Sequence, residues 1–242
     1  MCFKLASIIF IFQFVAPLLK LGTRSTNIAK EFSTSWVLIT GVTSDIGMEL
    51  TRRVTQQGLD VIGVGSNVSM LNRSNFLPCQ CDMSNTSSVS IIESCIRDHD
   101  VGLAIITQDL SNNRTNRTAD FVTAECTTKA MLARSLIINF KRRAKKSSIY
   151  LVASSPTPRS GHLWSAAESF TATLGGQLSV EVSNTNVGVC TFHRTDGKPV
   201  GVSSMADTIM KTLDCNYSVD TLLARVARFL FGDFWWDIKN DR

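Results

Sequence analysis

The apolar positions of this chain follow two alternating patterns. Short runs rich in β-branched and aromatic residues predict strands, and segments with an apolar residue every three or four positions predict helices. The strand pattern occurs at 36–40, 61–65, 76–81, 103–107, 149–153 and 187–192. The helical pattern lies between and after these runs, around 46–54 and 89–96 and across 119–143, 165–182, 205–213 and 219–231.

Strands that alternate with amphipathic helices predict a parallel sheet with helices on both faces. We therefore predict a Rossmann-type, doubly wound α/β domain of three layers that spans 36–242. The length of 242 residues suffices for one such domain with a sizeable core. The polar stretch 23–35 is predicted to be a linker, and residues 1–22 are predicted to form a hydrophobic helix that precedes the domain.

The first 22 residues carry an apolar run from Leu5 to Leu19, bracketed by Lys4 and Lys20. A helix that crosses a bilayer upright needs about 20 apolar residues, so the run is short for that purpose. Three alternatives remain open: a membrane anchor or membrane-associated hairpin, a cleaved signal peptide, and a helix packed on the domain. The first is favoured because no clean small-x-small cleavage site follows the run, and it predicts attachment to a membrane.

The net charge of +5 is modest, and the densest basic run lies at 141–146. No stacking aromatic residues interleave with these cations. The run therefore predicts a solvated helix end, and we expect no nucleic-acid binding.

The seven cysteines show no framework spacing, which predicts buried free thiols in a reducing compartment. Cys79 and Cys81 lie too close in sequence for the usual zinc pair, and no histidine stands nearby in a ligand pattern, so we expect no metal site. The six Asn-x-Ser/Thr sequons are accordingly interpreted as chance matches in a domain that faces the cytosol.

The junction between the first strand and the first helix carries the main chemical signal. It reads Thr-Gly-Val-Thr-Ser-Asp-Ile-Gly at 40–47. A glycine after the strand permits a tight turn, and the free N–H groups and the dipole of the helix N-terminus favour a pyrophosphate. In this strand–loop–helix context the junction predicts a dinucleotide site.

This loop resembles the Thr-Gly-x-x-x-Gly-x-Gly signature of the short-chain dehydrogenase/reductase family. With the hydrophobic leader and the run Trp-Val-Leu-Ile-Thr-Gly-Val-Thr, it is most similar to the membrane-anchored branch that contains 17-beta-hydroxysteroid dehydrogenase type 12, the very-long-chain 3-oxoacyl-CoA reductases and the hydroxysteroid dehydrogenase-like proteins. The resemblance covers about 36–213. It implies NADP(H) as the default cofactor and these cofactor-binding residues: Thr40, Gly41, Ser44, Ile46, Gly47, Ser66 and Asp82.

Two acidic residues near this site have a second interpretation. Asp45 replaces the middle glycine of the signature, and its carboxylate is unfavourable beside a pyrophosphate unless it caps the helix and faces away. Asp82 matches the family's adenine-contacting residue after the third strand, and it could also cap the next helix.

The resemblance further implies a catalytic Tyr and, four residues later, a Lys that lowers the pKa of the Tyr hydroxyl for proton transfer. Here Trp164 stands at the Tyr position and Glu168 at the Lys position. An indole donates hydrogen bonds but does not titrate, and a carboxylate raises the pKa of a neighbouring phenol. We therefore predict that the chain has no catalytic residues.

Other positions also depart from the family pattern. The Asn-Asn-x-Gly after the fourth strand reads Ile-Thr-Gln-Asp at 106–109, and the active-site Asn aligns near Thr127. Ser155 corresponds to the catalytic Ser, but it lies closer to Trp164 than the family spacing implies. His193 after the sixth strand could replace the missing acid, although a histidine in a loop is more often solvated.

These observations support two hypotheses. The first is a catalytically inactive dehydrogenase-like protein at the endoplasmic reticulum membrane, facing the cytosol, with residual NAD(P) binding. The alternative is an active NADP(H)-dependent oxidoreductase that acts on 3-oxoacyl-CoA or steroid-like carbonyls. By analogy with the family, the helices 119–143 and 165–182 could form a homo-oligomer.

Overall fold

The structure is a computed structural model, which describes residues 27–68, 74–107, 118–153, 162–193 and 201–213. Its strands are β1 Trp36–Thr40, β2 Asp60–Gly65, β3 Phe76–Gln80, β4 Val101–Ile106, β5 Ser147–Val152 and β6 Val187–Phe192. All neighbouring pairs are parallel, and the order across the sheet is β3-β2-β1-β4-β5-β6. The order reverses between β1 and β4, which opens a crevice at their carboxyl ends.

The helices are α1 Ile28–Phe32, α2 Asp45–Gln56, α3 Ser88–Ile96, α4 Thr118–Val122, α5 Lys129–Lys141, α6 His162–Glu181 and α7 Val202–Thr212, with a π-helical turn at Thr123–Thr128 between α4 and α5. Apolar residues of α3, α5 and α6 form a core with one face of the sheet. Those of α1, α2 and α7 form a second core with the other face. The predicted Rossmann-type, three-layer parallel sheet is confirmed.

The first β-α-β unit follows its sequence pattern closely. The strand at 36–40 has its predicted bounds, and Ile46, Leu50 and Val54 are buried along one face of α2. Gly58 follows with a positive φ of 78°, which ends the helix as predicted. β5 begins two residues earlier than predicted because Ser147 and Ser148 pair with β6 through their backbones, which an apolar pattern does not reveal.

The predicted linker at 23–35 is wrong over its described part. Ile28 and Phe32 lie one turn apart on α1 and are fully buried against the sheet. Asn27 caps this helix by accepting a hydrogen bond from the N–H of Lys30 at 3.0 Å, and Gln57 accepts one from the N–H of Ile28 at 3.1 Å. The folded domain therefore includes α1, because burial of its two large apolar side chains stabilises the docked helix relative to a free linker.

The basic run at 141–146 is not simply a solvated helix end. Arg143 donates hydrogen bonds at 3.1 Å to the carbonyls of Phe32 and Ser33, and Lys145 donates one at 3.1 Å to Ser33. These cations satisfy the carbonyls at the C-terminus of α1, where the helix dipole is negative. Hydrogen bonding by Arg143 also lowers the pKa of Asp100 from 3.8 to about 2. The run thus holds α1 onto the domain.

The long predicted helix at 119–143 is interrupted by the π-helical turn, which changes its inner face. Ala133, Leu136, Ile137 and Phe140 are buried as predicted, but Ala130 is only partly buried, and Lys129 lies fully inside the protein. A π-helical turn adds a residue and rotates the helix that follows. We therefore attribute the burial of Lys129 to this rotation.

The cysteines are not all free. Cys79 on β3 is joined to Cys95 on α3 by a disulfide, whereas Cys81, Cys126 and Cys190 are not disulfide-bonded. The expectation of free thiols is therefore wrong for this pair. The bond links residues that are 16 positions apart in sequence and come together only through the packing of α3 on the sheet.

Two predicted helices fall on residues that the structure does not describe. They are the hydrophobic helix at 1–22 and the helix at 219–231. Within the described ranges, no helix is both long and apolar enough to cross a membrane. The same ranges contain no group of three or more acidic, cysteine or histidine side chains that could hold a metal ion.

Candidate functional site

The carboxyl ends of β1 and β4 are tied together at the crevice. The hydroxyl of Thr40 donates to the carbonyl of Thr107 and accepts from its N–H, both at 3.1 Å. The hydroxyl of Thr107 donates to the carbonyl of Thr40 at 2.6 Å. Thr40 was predicted to bind a cofactor, but its side chain is fully buried and its hydroxyl is used in this clasp. Its role is to set the shape of the crevice.

The loop after β1 is built around a capped turn. Gly41 adopts a φ of 62°, in the left-handed region that favours glycine. The hydroxyl of Ser44 donates to the carbonyl of Gly41 at 2.7 Å and accepts from the N–H of Gly47 at 3.1 Å. Ser44, rather than Asp45, is therefore the N-cap of α2, and the exposed Asp45 occupies the first helical position.

Gly47 allows the helix to approach the loop more closely than any other residue could. A Cβ atom at this position would lie 2.1 Å from the carbonyl oxygen of Gly41 and 2.9 Å from the Cα of Val42. Both are backbone atoms, so they cannot move aside as a flexible side chain would. The loop therefore requires glycine at 47 to keep its path.

The first turn of α2 leaves backbone donors available. The N–H groups of Ser44, Gly47 and Met48 have partners within the loop, whereas those of Asp45 and Ile46 lie in the first turn, where no preceding carbonyl can reach them. The side chain of Ile46 is buried in the core, so this predicted site residue contributes its amide rather than its side chain. Two free amides at the positive end of a helix suit an anionic oxygen.

Thr43 adds a polar group that the sequence analysis did not select. Its hydroxyl oxygen is buried and has no hydrogen-bond partner. It lies beside the end of β2, 3.7 Å from where a Cβ of Gly65 would be, and Gly65 directly precedes the predicted site residue Ser66. A buried hydroxyl without a partner is costly unless a ligand or water satisfies it. The family signature leaves position 43 unspecified, so nothing in the motif marks it.

Asp82 lies on the same edge of the sheet, just after β3. Its carboxylate accepts a hydrogen bond from the N–H of Ser84 at 2.9 Å, which forms a local turn before α3. The side chain is exposed. Asp82 therefore stabilises a turn that precedes α3, but it does not cap that helix, whose N-cap is Ser87. Its exposed carboxylate also faces solvent at the nucleotide edge of the sheet.

The residues present fit a dinucleotide. The tight turn at Gly41, the close approach at Gly47, the free amides of α2 and the unpartnered hydroxyl of Thr43 together form a cradle for phosphate and ribose oxygens. The cradle lies at the reversal point of the sheet, where open α/β sheets bind ligands.

The positions that would carry the chemistry lie on the first turns of α6. The ring of Trp164 packs edge-on against that of Phe121 on α4, with their centroids 4.6 Å apart and their planes inclined by 72°. Glu168 follows one turn later on α6 and is partly buried. Neither side chain supplies a phenol or an ammonium group. Ser155, Gln108 and Asp109 lie outside the described residues.

Other titratable groups in this region are already engaged. Lys129 forms an ion pair with Glu125 across the π-helical turn, and both side chains are almost completely buried. Burial raises the pKa of Cys126, whose thiol therefore remains protonated at neutral pH. The hydroxyl of Tyr150 is hydrogen-bonded to that of Thr212 on α7 and lies in the core. The other tyrosine, Tyr217, is outside the described residues.

Comparison with solved structures identifies the fold. A short-chain dehydrogenase from Sphingobium yanoikuyae in complex with NADPH superposes with a TM-score of 0.61 at 19% identity, over 76% of this chain and 85% of that one. The bulky-bulky ketone specific alcohol dehydrogenase from Comamonas testosteroni superposes with a TM-score of 0.64 at 18% identity, over 82% and 94%. This chain has a short-chain dehydrogenase fold.

A third structure of this dehydrogenase fold is the 3-ketoacyl-(acyl-carrier-protein) reductase from Brucella melitensis complexed with NADH. It is similar with a TM-score of 0.61 at 17% identity, over 78% of this chain and 93% of that one. No protein-family model matches the sequence, and no curated protein matches it either. At these identities the dehydrogenase fold is established for the chain, and its activity is a separate question.

Proposed function

We propose that this chain is a membrane-associated protein of the short-chain dehydrogenase fold that binds NAD(P)(H) and does not catalyse hydride transfer. The observation that carries the proposal is the contrast between the two halves of the site. The cradle at the start of α2 has the geometry of a nucleotide site, whereas α6 presents an indole and a carboxylate where the chemistry requires a phenol and an ammonium group.

The cradle supports nucleotide binding through its own residues. Thr43 and the amides of Asp45 and Ile46 would contact the phosphates and the adjoining ribose, and Ser66 and Asp82 lie at the ends of β2 and β3, where the adenosine half would extend. When bound, the nicotinamide supplies or accepts the hydride. NADP(H) is the default of the family, and the related structures include complexes with NADPH and with NADH.

The absence of catalysis rests on proton transfer. Trp164 cannot deliver a proton, and Lys129 is held in a buried ion pair with Glu125. General acid catalysis typically contributes 10²–10⁴-fold, so its loss alone lowers turnover by about that factor. The role left to the protein is that of a nucleotide-dependent binding or assembly component.

Purified full-length protein should bind NADPH without oxidising it. We expect a saturable change in NADPH fluorescence, together with no oxidation above background when 3-oxoacyl-CoA or ketosteroid substrates are added. The two readouts separate the two halves of the site. If the fluorescence stays unchanged at millimolar nucleotide, the proposal that the protein binds NADPH is wrong. Robust turnover would overturn the claim of inactivity.

The alternative is an active NADP(H)-dependent oxidoreductase for 3-oxoacyl-CoA or steroid-like carbonyls. It requires another proton donor, and His193 is the candidate because it follows β6 at the carboxyl edge of the sheet and is partly buried. Turnover that disappears in His193→Gln while NADPH binding persists would establish this alternative.

We further propose that the protein is attached to the endoplasmic reticulum membrane through residues 1–22, with its domain in the cytosol, as in the membrane-anchored branch it resembles. Lys20, Arg24 and Lys30 follow the apolar run, and cations beside a membrane segment favour the cytosolic side. The disulfide between Cys79 and Cys95 argues in the other direction, because such bonds persist mainly in oxidising compartments.

Protease protection distinguishes the two topologies. In sealed endoplasmic reticulum vesicles, a cytosolic domain is digested by external protease, and the Asn85 sequon, whose side chain is exposed, carries no glycan. A protected domain whose mobility changes on glycosidase treatment would reverse the proposed orientation, and Asn85→Gln identifies the glycan.

Self-association through the long helices is also proposed. α5 exposes Met131 and Ile138, and α6 exposes Phe170 and Val180, the last with 71% of its surface accessible. Exposed apolar side chains on two neighbouring helices are typical of an interface between copies.

A further inference from the structure

A cluster of exposed cations lies at the edge of the sheet opposite the nucleotide cradle. Because helices run back along the strands, the ends of α3 and α5 lie at the amino ends of the strands. The cluster, termed here the basic edge, comprises Lys30, Arg97, Lys141, Arg142, Lys145 and Lys146, all of which are exposed.

Four members of the basic edge have no ion-pair partner in the part of the chain that the structure describes: Lys30, Arg97, Lys141 and Arg142. Lys146 pairs with Glu31, and Lys145 shares Asp100 with Arg143. Arg97 and Arg142 line one groove between α3 and α5, so these two guanidinium groups lie on a common surface. The exposed carboxylates nearby are Glu93 and Asp100, which line the same groove, and Asp98, which follows Arg97 in sequence. The surface therefore retains a net positive charge that the described residues do not neutralise.

The position of the chain's N-terminal segment indicates what this surface faces. The described chain begins at Asn27, and the N–H of the next residue bonds to Gln57 at the end of α2, on this same edge. Only seven residue steps separate Asn27 from Lys20, where the apolar run ends. Fully extended, they span about 25 Å at most. The basic edge is thus confined near the point where the hydrophobic leader departs.

The attachment of α1 makes this confinement rigid. Arg143 and Lys145 hold the C-terminus of α1 through its carbonyls, and the Lys146 ammonium lies 5.7 Å from the centre of the Phe32 ring. Because Ile28 and Phe32 are buried, α1 cannot swing away from the domain without exposing them. The fixed position of α1 therefore determines the edge of the domain from which the hydrophobic leader departs.

We infer that the basic edge is a docking surface for the anionic lipid headgroups of the membrane that residues 1–22 enter. The inference rests on the proposed membrane attachment and adds an electrostatic contact by the folded domain itself. Cytoplasmic leaflets carry anionic lipids, whose potential attracts cations close to the segment that enters the bilayer. The nucleotide cradle, at the opposite edge, then faces water.

Binding of the full-length chain to vesicles tests the inference. The probes are vesicles of phosphatidylcholine alone and vesicles in which about a third of the lipid is phosphatidylserine. We compare the wild type with Lys141→Gln/Arg142→Gln, which removes two cations that have no ion-pair partner among the described residues. The matched control is Gln80→Glu/Thr86→Glu, which makes the same change in net charge at two exposed positions on the opposite edge.

Each cation near an anionic leaflet strengthens binding about fivefold, so the wild type should bind the phosphatidylserine vesicles about 25-fold more tightly than the Lys141→Gln/Arg142→Gln variant does. The control should bind like the wild type, and about 1 M salt should abolish the preference by shortening the Debye length to about 3 Å. Circular dichroism confirms that the variants are folded.

The outcomes separate this inference from the attachment on which it rests. Equal binding of all three proteins to both vesicle types would overturn the inference that the basic edge binds anionic lipid, and would leave the leader as the sole attachment. Failure of the wild type to bind either vesicle would overturn the attachment as well. An equal loss in the control and in the Lys141→Gln/Arg142→Gln variant would show that only net charge matters, and would also overturn the inference.

Discussion

Replacing Lys129 with methionine should lower the free energy of unfolding by about 3–5 kcal/mol. Lys129 is paired with Glu125, and both side chains are almost completely buried, with 2% and 3% of their surfaces exposed. Removal of the Lys129 ammonium leaves the Glu125 carboxylate buried without a counter-charge, so no attraction offsets the cost of desolvating that carboxylate. Equilibrium urea unfolding of the full-length chain, followed by circular dichroism, measures the loss.

The same helix offers a matched control. Arg134 pairs with Glu181, but these side chains are 58% and 38% exposed, so Arg134→Met should cost at most about 1 kcal/mol. The double substitution Glu125→Met/Lys129→Met removes both buried charges and should recover most of the lost stability. If Lys129→Met and Arg134→Met lowered the free energy of unfolding by similar amounts, the Glu125–Lys129 ion pair could not be a desolvated one.

The second large effect is expected at the nucleotide cradle, where Gly47→Ala should abolish measurable NADPH binding. The new Cβ would lie 2.1 Å from the carbonyl oxygen of Gly41, so the loop must shift and α2 must move away from it. Overpacking of this kind typically costs 1–3 kcal/mol of stability as well. NADPH fluorescence titration and urea unfolding measure the two effects.

Gly176→Ala is the control for this prediction. Gly176 lies in the interior of α6, and a Cβ there would have no described atom within 4 Å apart from its chain neighbours and the backbone of its own helix. Alanine is the better helix former, so this variant should be more stable by about 0.5–1 kcal/mol and should bind NADPH normally. If Gly47→Ala bound NADPH as tightly as Gly176→Ala, the nucleotide site would have to lie elsewhere.

The sequence predicted those parts of the fold that local patterns determine. The strand at 36–40 and the buried face of α2 could be read directly because apolar spacing and a terminating glycine are local signals. Helix α1 was missed because five residues with two apolar side chains give no periodicity. Its stability comes from the burial of Ile28 and Phe32 and from hydrogen bonds of Arg143 and Lys145, which lie more than 100 positions away in sequence.

The geometry of the phosphate loop follows from the sequence more fully than the hydrogen bonding of its side chains does. The glycines and the start of α2 follow from a motif. Whether the Thr43 hydroxyl finds a hydrogen-bond partner depends instead on which groups surround it after folding. Thr40 and Ser44 satisfy their own hydroxyls within the protein, which no motif reveals. A Glu and a Lys four residues apart are common on exposed helix surfaces, so nothing in the sequence indicated that Glu125 and Lys129 would be buried.

The mutual hydrogen bonds of Thr40 and Thr107 have a thermodynamic consequence. They fix the separation of the two strands that form the walls of the crevice, using only groups of the protein. An incoming ligand therefore finds a preorganised opening and spends none of its interaction free energy on assembling those walls. Differences in affinity between nicotinamide nucleotides should then arise from the side chains that line the opening, with little change in heat capacity from rearrangement of the sheet.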